Sequence, residues 1–203
     1  MPTQTLSDKI LSRIYGKKRG WVFTPVHFRD LGNDSGIRKA LQGLAFRGVI
    51  DRPARGLYLY PKTHPKLGVL SPTPGQIAQA LAGKDDLRIQ PSGAYAANLL
   101  GLSEQVPART VFLTDGTNRK IKVGNQEIVL KRTTPKHMAT AGRTSGLVIQ
   151  ALRHLGKVHV DDTVIDTLAE RLSPNDRRQL IKDIRHAPAW IGTIMRRIAE
   201  RND

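Results

Sequence analysis

The chain has 203 residues, no cysteine, and a formal charge of +16 from 33 basic and 17 acidic residues. That length suits one or two domains with real cores. The lack of cysteine excludes disulfide frameworks, cysteine-ligated zinc, iron–sulfur clusters and thiol catalysis, and it fits a reducing cytoplasm. A hydrophobic content of 39 % is enough for a globular chain. The opening MPTQTLSDKILSRIYG carries acid and no long apolar stretch, so it does not read as a signal peptide. No stretch approaches the roughly 20 apolar residues that a membrane span needs.

The charge is unevenly placed. Residues 1–68 carry +9, residues 69–117 carry −1, residues 118–143 carry +6 and residues 144–203 carry +2. Two basic zones separated by a near-neutral stretch point to a polyanion partner more than to solubility alone.

Within the first zone, Ile10, Leu11, Ile14 and Tyr15 recur at helical spacing over Ser7–Tyr15, and Gly16 can end that helix. The loop Gly16-Lys17-Lys18-Arg19-Gly20 lacks the phosphate-binding G-x-x-x-x-G-K-[ST] pattern, so no nucleotide site is read there. It is open whether Lys17, Lys18 and Arg19 touch a nucleic-acid backbone or form a solvated turn. Thr24-Pro25 is a cap followed by a first-position proline, predicting a short helix over Pro25–Leu31. Asn33, Asp34 or Ser35 can cap the next helix, which Gly36 opens without steric demand and which runs to about Arg47. Ile37, Ala40, Leu41, Leu44 and Ala45 share its apolar face, while Arg38, Lys39, Gln42 and Phe46 lie on the other. Phe46 has no place in a polar face, and packing beneath a following hairpin is expected for it. Val49–Arg52 and Leu57–Tyr60 read as strands joined by Pro53-Ala54-Arg55-Gly56.

Helix, short helix, turn, helix, hairpin is the order of a winged helix-turn-helix. In that arrangement one face of the third helix meets the core and the other meets the major groove. Ser35, Arg38, Lys39 and Gln42 are its candidate DNA contacts. Arg38 reaches toward guanine edges, Gln42 toward adenine and Lys39 toward phosphate. Arg52 and Arg55 at the hairpin would meet backbone or minor groove. The segment Tyr60–Pro74, rich in proline and poor in periodicity, reads as a connector, which gives domains of 1–68 and 69–203.

The second part is expected to be a mixed α/β domain ending in helices. Pro74–Ala82 looks helical, with Ile77, Ala78 and Leu81 inward. Leu87–Gln90 reads as a strand, Pro91 opens a small-residue helix to Gly101, and Thr110–Thr114 is a β run. Lys120–Val123 and Glu127–Arg132 alternate around Gly124-Asn125 as a hairpin. Helices follow over Ser145–Leu155 and Thr163–Leu172, then from Ser173 with a break near Pro188. Ile181, Ile184, Ile191, Ile194, Met195 and Ile198 are expected to close a core rather than a dimer.

The basic residues Lys120, Lys122, Lys131, Arg132, Lys136 and Arg143 form a second candidate patch, with three readings open: nucleic-acid contact, docking of an acidic partner, or a solvated hairpin. Asp115, Asp161, Asp162, Asp166 and Asp176 read as turn and cap acids, with no H-x-x-x-H or H-E-x-x-H spacing beside them. Neither Ser92-Gly93 nor Ser145-Gly146 belongs to a nucleophile elbow, so no catalytic residue, cofactor or metal is expected.

The runs RIYGKKRGWVFTPVHFRDLG, ARGLYLYP, QPSGAYAANLLGLSEQVPARTVFLTDG and VLKRTTPKHMATAGRTSGLVIQALRHLG together resemble the AbiEi-type antitoxins of type IV toxin–antitoxin systems, in the branch with an N-terminal winged helix. The resemblance spans about residues 7–160. It implies a cytoplasmic bacterial repressor of its own operon, with Asn33–Arg47 as recognition helix and Ile50–Tyr60 as wing. It further implies a partner gene for a nucleotidyltransferase-like toxin, opposed without a stable complex by an activity in the C-terminal domain. The rival readings are an RNA-binding protein, against which 5 % aromatic content argues mildly, and a protein that docks an acidic partner through its basic C-terminal face.

Overall fold

Caps and apolar spacing build the hydrophobic cores of this chain around its sheets. The computed structural model describes residues 4–83 and 87–201. About half of the chain is helical and 18 % is strand, so it is a mixed α+β protein. It divides into two compact units, Met1–Leu87 with Ile121–Asn125, and Arg88–Lys120 with Gln126–Asp203. Among the described residues no helix is long and apolar enough to cross a membrane.

In the first unit, helix α1 (Leu6–Tyr15) starts at a capping box: the Thr5 hydroxyl accepts from the Asp8 N–H, and the Asp8 carboxylate accepts from the Thr5 N–H. Strand β1 (Val22–Phe23) follows, then a 3-10 turn over Pro25–Phe28, which stops short of the Leu31 end expected for this short helix. Helix α2 (Asp34–Phe46) is capped by Asn33, whose side chain accepts from the Gly36 N–H at 2.7 Å. Gly36 is under real steric demand. A Cβ there would lie 3.0 Å from Leu6 Cδ2 and 3.1 Å from Asn33 Oδ1, so glycine lets α1 and the cap close in together.

Strands β2 (Asp51–Ala54) and β3 (Leu57–Leu59) complete an antiparallel sheet in the order β1-β3-β2, with Val22 opposite Leu59 and Ala54 opposite Leu57. The register shifts by one residue between Asp51 and Ala54. That bulge on an edge strand accommodates Pro53, which has no N–H to offer a ladder. The loop therefore shrinks to Arg55-Gly56, with Gly56 at a φ of +76° that an L side chain rarely adopts. Ile10, Ile14, Phe23, Phe28, Ile37, Leu41, Leu44, Ile50 and Tyr58 form the core. Phe46 does not pack under the hairpin: it is 94 % exposed.

The connector is not structureless. Strands β4 (Thr63–His64) and β5 (Gly68–Val69) pair within it. Helix α3 (Pro74–Ala82), capped by Thr73, packs against β1 and so belongs to the first unit.

The second unit holds β6 (Ile89–Ser92), α4 (Gly93–Leu99), β7 (Arg109–Thr114), β9 (Gln126–Arg132) and the first two residues of β8 (Arg119–Val123), and the four strands form a sheet ordered β6-β7-β9-β8. Pro91 lies in the edge strand β6 rather than opening α4. Strands β7 and β9 run parallel, with Phe112 beside Leu130. Helices α5 (Pro135–Met138), α6 (Thr144–Leu155), α7 (Asp162–Arg171), α8 (Pro174–Asp183) and α9 (Ala189–Glu200) follow. Helix α6 packs on α4 and β6, and Val148, Leu152, Ile165, Leu168, Leu180 and Ile191 are among the core residues. Met195 and Ile198 are fully buried in that core and Ile184 and Ile194 pack against it, as expected, whereas Ile181 is 44 % exposed. Gly146 allows α6 to sit close: an added Cβ would come within 2.3 Å of the Thr140 carbonyl oxygen.

Candidate nucleic-acid interface

Burying Ile37, Leu41 and Leu44 fixes the rotation of α2, and so decides what its other face carries. Ser35, Arg38, Lys39 and Gln42 are all exposed. Arg38 and Gln42 join Arg52 and Arg55 in the lining of one concavity of about 500 Å³, with Pro25, Gly56 and Tyr58 as its remaining wall. Four predicted contact residues from two elements thus converge. The β2 bulge re-aims Arg52, whose guanidinium sits over the Tyr58 ring at 5.9 Å. Arg38 is 3.5 Å from Asp34, a solvent-exposed pair at (i, i+4) that is weak and easily exchanged. Among the described residues neither Lys39 nor Arg55 has a carboxylate partner.

The loop after α1 lies elsewhere on this unit. Arg19 stacks over Tyr60 at 4.9 Å, donates to the Pro61 carbonyl at 3.2 Å, and lines a separate concavity of about 430 Å³ with Tyr15, Gly48, Val49, Tyr60 and Pro61. Lys17 lies 5.8 Å from the Trp21 ring centre, and Lys18 is exposed. Of these three cations, Arg19 is engaged by its own fold.

Sequence reasoning missed Arg13. Its guanidinium makes a two-point pair with Asp30, at 2.8 and 2.5 Å, and also donates to the His27 carbonyl at 2.8 Å. It ties α1 to the 3-10 turn that precedes α2, and the hydrogen bonds it donates to Asp30 hold its charge still more firmly than usual. The only sequence signal is a basic residue in the last turn of α1, which also fits a solvated face.

The second basic zone is dispersed. Lys120 Nζ pairs with Glu127 Oε1 at 2.5 Å, and Arg109 holds the other oxygen of the same carboxylate at 3.2 Å. Arg143 pairs at 2.8 Å with Asp183, whose side chain is 2 % exposed. Asp183 also accepts from Ser145 at 2.5 Å and from Gln179 at 2.9 Å. Burial pushes this carboxyl up, but those hydrogen bonds and the charge of Arg143 outweigh it and hold Asp183 below the ordinary carboxylate range. Lys131 and Arg132 are exposed neighbours on β9, so they point to opposite faces of the sheet. Lys122 and Lys136 are exposed.

The acidic residues have ordinary partners. Asp115 accepts from Arg88 Nε at 2.9 Å and from its backbone N–H at 3.0 Å, and the hydrogen bond from the Arg88 side chain is the main cause holding it low. Asp161 caps α7, Asp162 pairs with Arg197 and Asp166 with Arg201, and Asp176 bonds Ser173 at the start of α8. His137 sits between Thr133 and Arg153, and burial, reinforced by the nearby cations, favours its neutral form. Among the described residues no group of three or more His, Asp or Glu could hold a metal ion.

A family model for DUF6088, a family of unknown function, matches residues 9–180, and the chain belongs to that family. No curated protein and no solved structure matches it.

Proposed function

We propose that the first unit is a winged helix-turn-helix that binds double-stranded DNA in a sequence-specific way, with α2 as recognition helix and the β2–β3 hairpin as wing. The observation that carries this reading is the shared concavity of Arg38, Gln42, Arg52 and Arg55. Its supports are the order of elements, the antiparallel β1-β3-β2 sheet and the outward basic face of α2. In this reading Arg38 and Gln42 contact base edges, while Lys39, Arg52 and Arg55 hold the backbone. Ser35, Lys17, Lys18 and Arg19 are outer contacts. No catalytic step is assigned to any residue.

The resemblance to AbiEi-type antitoxins extends the proposal: a cytoplasmic repressor of its own operon, and the antitoxin to a nucleotidyltransferase-like toxin with which it forms no stable complex. The test is an anisotropy titration against the duplex upstream of the gene, at two salt concentrations, with excess unrelated duplex and, separately, tRNA as competitors. Binding that survives both is expected. Binding abolished by unrelated duplex removes the sequence-specific reading, and preferential loss to tRNA favours an RNA partner.

A further inference from the structure

The helix that positions Arg38 and Gln42 also carries a large apolar side chain that the fold leaves outside. Phe46 is 94 % exposed, on a chain whose other phenylalanines, Phe23, Phe28 and Phe112, are each at most 2 % exposed. Its place on the helix is not arbitrary. At 3.6 residues per turn, Ser35, Gln42, Phe46 and Lys39 fall within about 60° of one another, opposite the buried row Ile37, Leu41 and Leu44. A helix laid in a major groove with this face inward places Phe46 against base edges, about 10 Å along the axis from Lys39, or about three base pairs. One apolar group is displayed there, the thymine 5-methyl.

We propose that Phe46 is a specificity-determining residue that reads a thymine methyl, about three base pairs from the position met by Lys39. The inference rests on the DNA-binding reading above and adds the base chemistry to it. An exposed phenylalanine with no polar atom gains nothing from water and gains by covering a methyl group. Its neighbours on the face, Lys39 and Gln42, hold the surrounding backbone and bases. The burial of one methyl group corresponds to about a fourfold change in affinity.

The test uses the full chain and a duplex enriched from a randomised pool, so it does not depend on which operator is native. The wild type and Phe46→Ala are titrated against that duplex and against the same duplex with each thymine in turn replaced by deoxyuridine, which removes only the methyl. The expected result is one position at which the wild type loses about fourfold and Phe46→Ala loses nothing. A thymine-to-uracil ratio identical in the two proteins at every position overturns the assignment. The same holds for an unchanged ratio combined with a shift in oligomer size on mutation, which would give Phe46 to a protein contact. Failure of the pool to enrich any sequence is a separate outcome that removes the DNA-binding reading itself, and this inference with it. Because Phe46 lies outside the core, the Phe46→Ala protein is expected to melt within a few degrees of the wild type.

Discussion

The two basic zones look alike as strings of lysine and arginine, yet the fold treats them differently. In the first unit, Arg38, Arg52 and Arg55 converge with Gln42 on one concavity, and Arg55 has no acidic partner among the described residues. In the second, Lys120 and Arg143 are each held by an acid, and Lys131 and Arg132 face opposite ways. A local excess of positive charge therefore does not by itself define a binding surface. What matters is whether the residues share a face and whether carboxylates already hold them.

The largest effect is expected where this difference is most structural. Asp183→Ala removes the buried acceptor of Arg143, Ser145 and Gln179 and should destabilise the chain by about 2–3 kcal/mol, most of it from the Ser145 and Gln179 donors left unpaired, read from the urea midpoint. The same residue gives a pH signature. Its carboxyl is held below the ordinary value in the fold, so its stabilising contribution is present above about pH 4 and is lost as the pH falls through the folded value. The urea midpoint of the wild type should fall more steeply below pH 4 than that of Asp183→Ala. Parallel curves would remove Asp183 from the account and return Arg143 to the pool of available cations.

The next effect sharpens the other side of the comparison. Arg38→Ala should relax discrimination at one base position by about 1–3 kcal/mol, measured by competition between the preferred duplex and its single-base variants. A uniform loss across all variants would make Arg38 a backbone contact and move base reading elsewhere on α2.

Much of α2 was legible because its information is local. The Asn33 cap and the spacing of Ile37, Leu41 and Leu44 lie within one segment. The wing was legible as a hairpin but not in its register, because the bulge holding Arg52 and Pro53 arises only when β2 pairs with β3. Strands β4 and β5 have two residues each, too few for a period to appear. The parallel pairing of β7 with β9 depends on contacts across the chain. Asp183 had no distinguishing mark in the sequence; its burial follows from α8 packing on α6. Phe46 was visible as an anomaly, and its outward position is what turns that anomaly into a candidate contact.

The smallest predicted effect separates the two zones most directly, since it compares two substitutions that remove the same formal charge. Arg55→Ala should weaken binding to all sequences alike and lower the slope of log affinity against log salt by about 0.9, the release of one phosphate's counterions. Arg143→Ala should leave that slope unchanged, because Asp183 already neutralises that guanidinium in the fold. If long-range attraction by net charge governed binding, the two slopes would fall together. A difference confined to Arg55 would place the phosphate contact at the hairpin turn, where Gly56 at φ +76° lets Arg55 project beside Arg38 and Gln42.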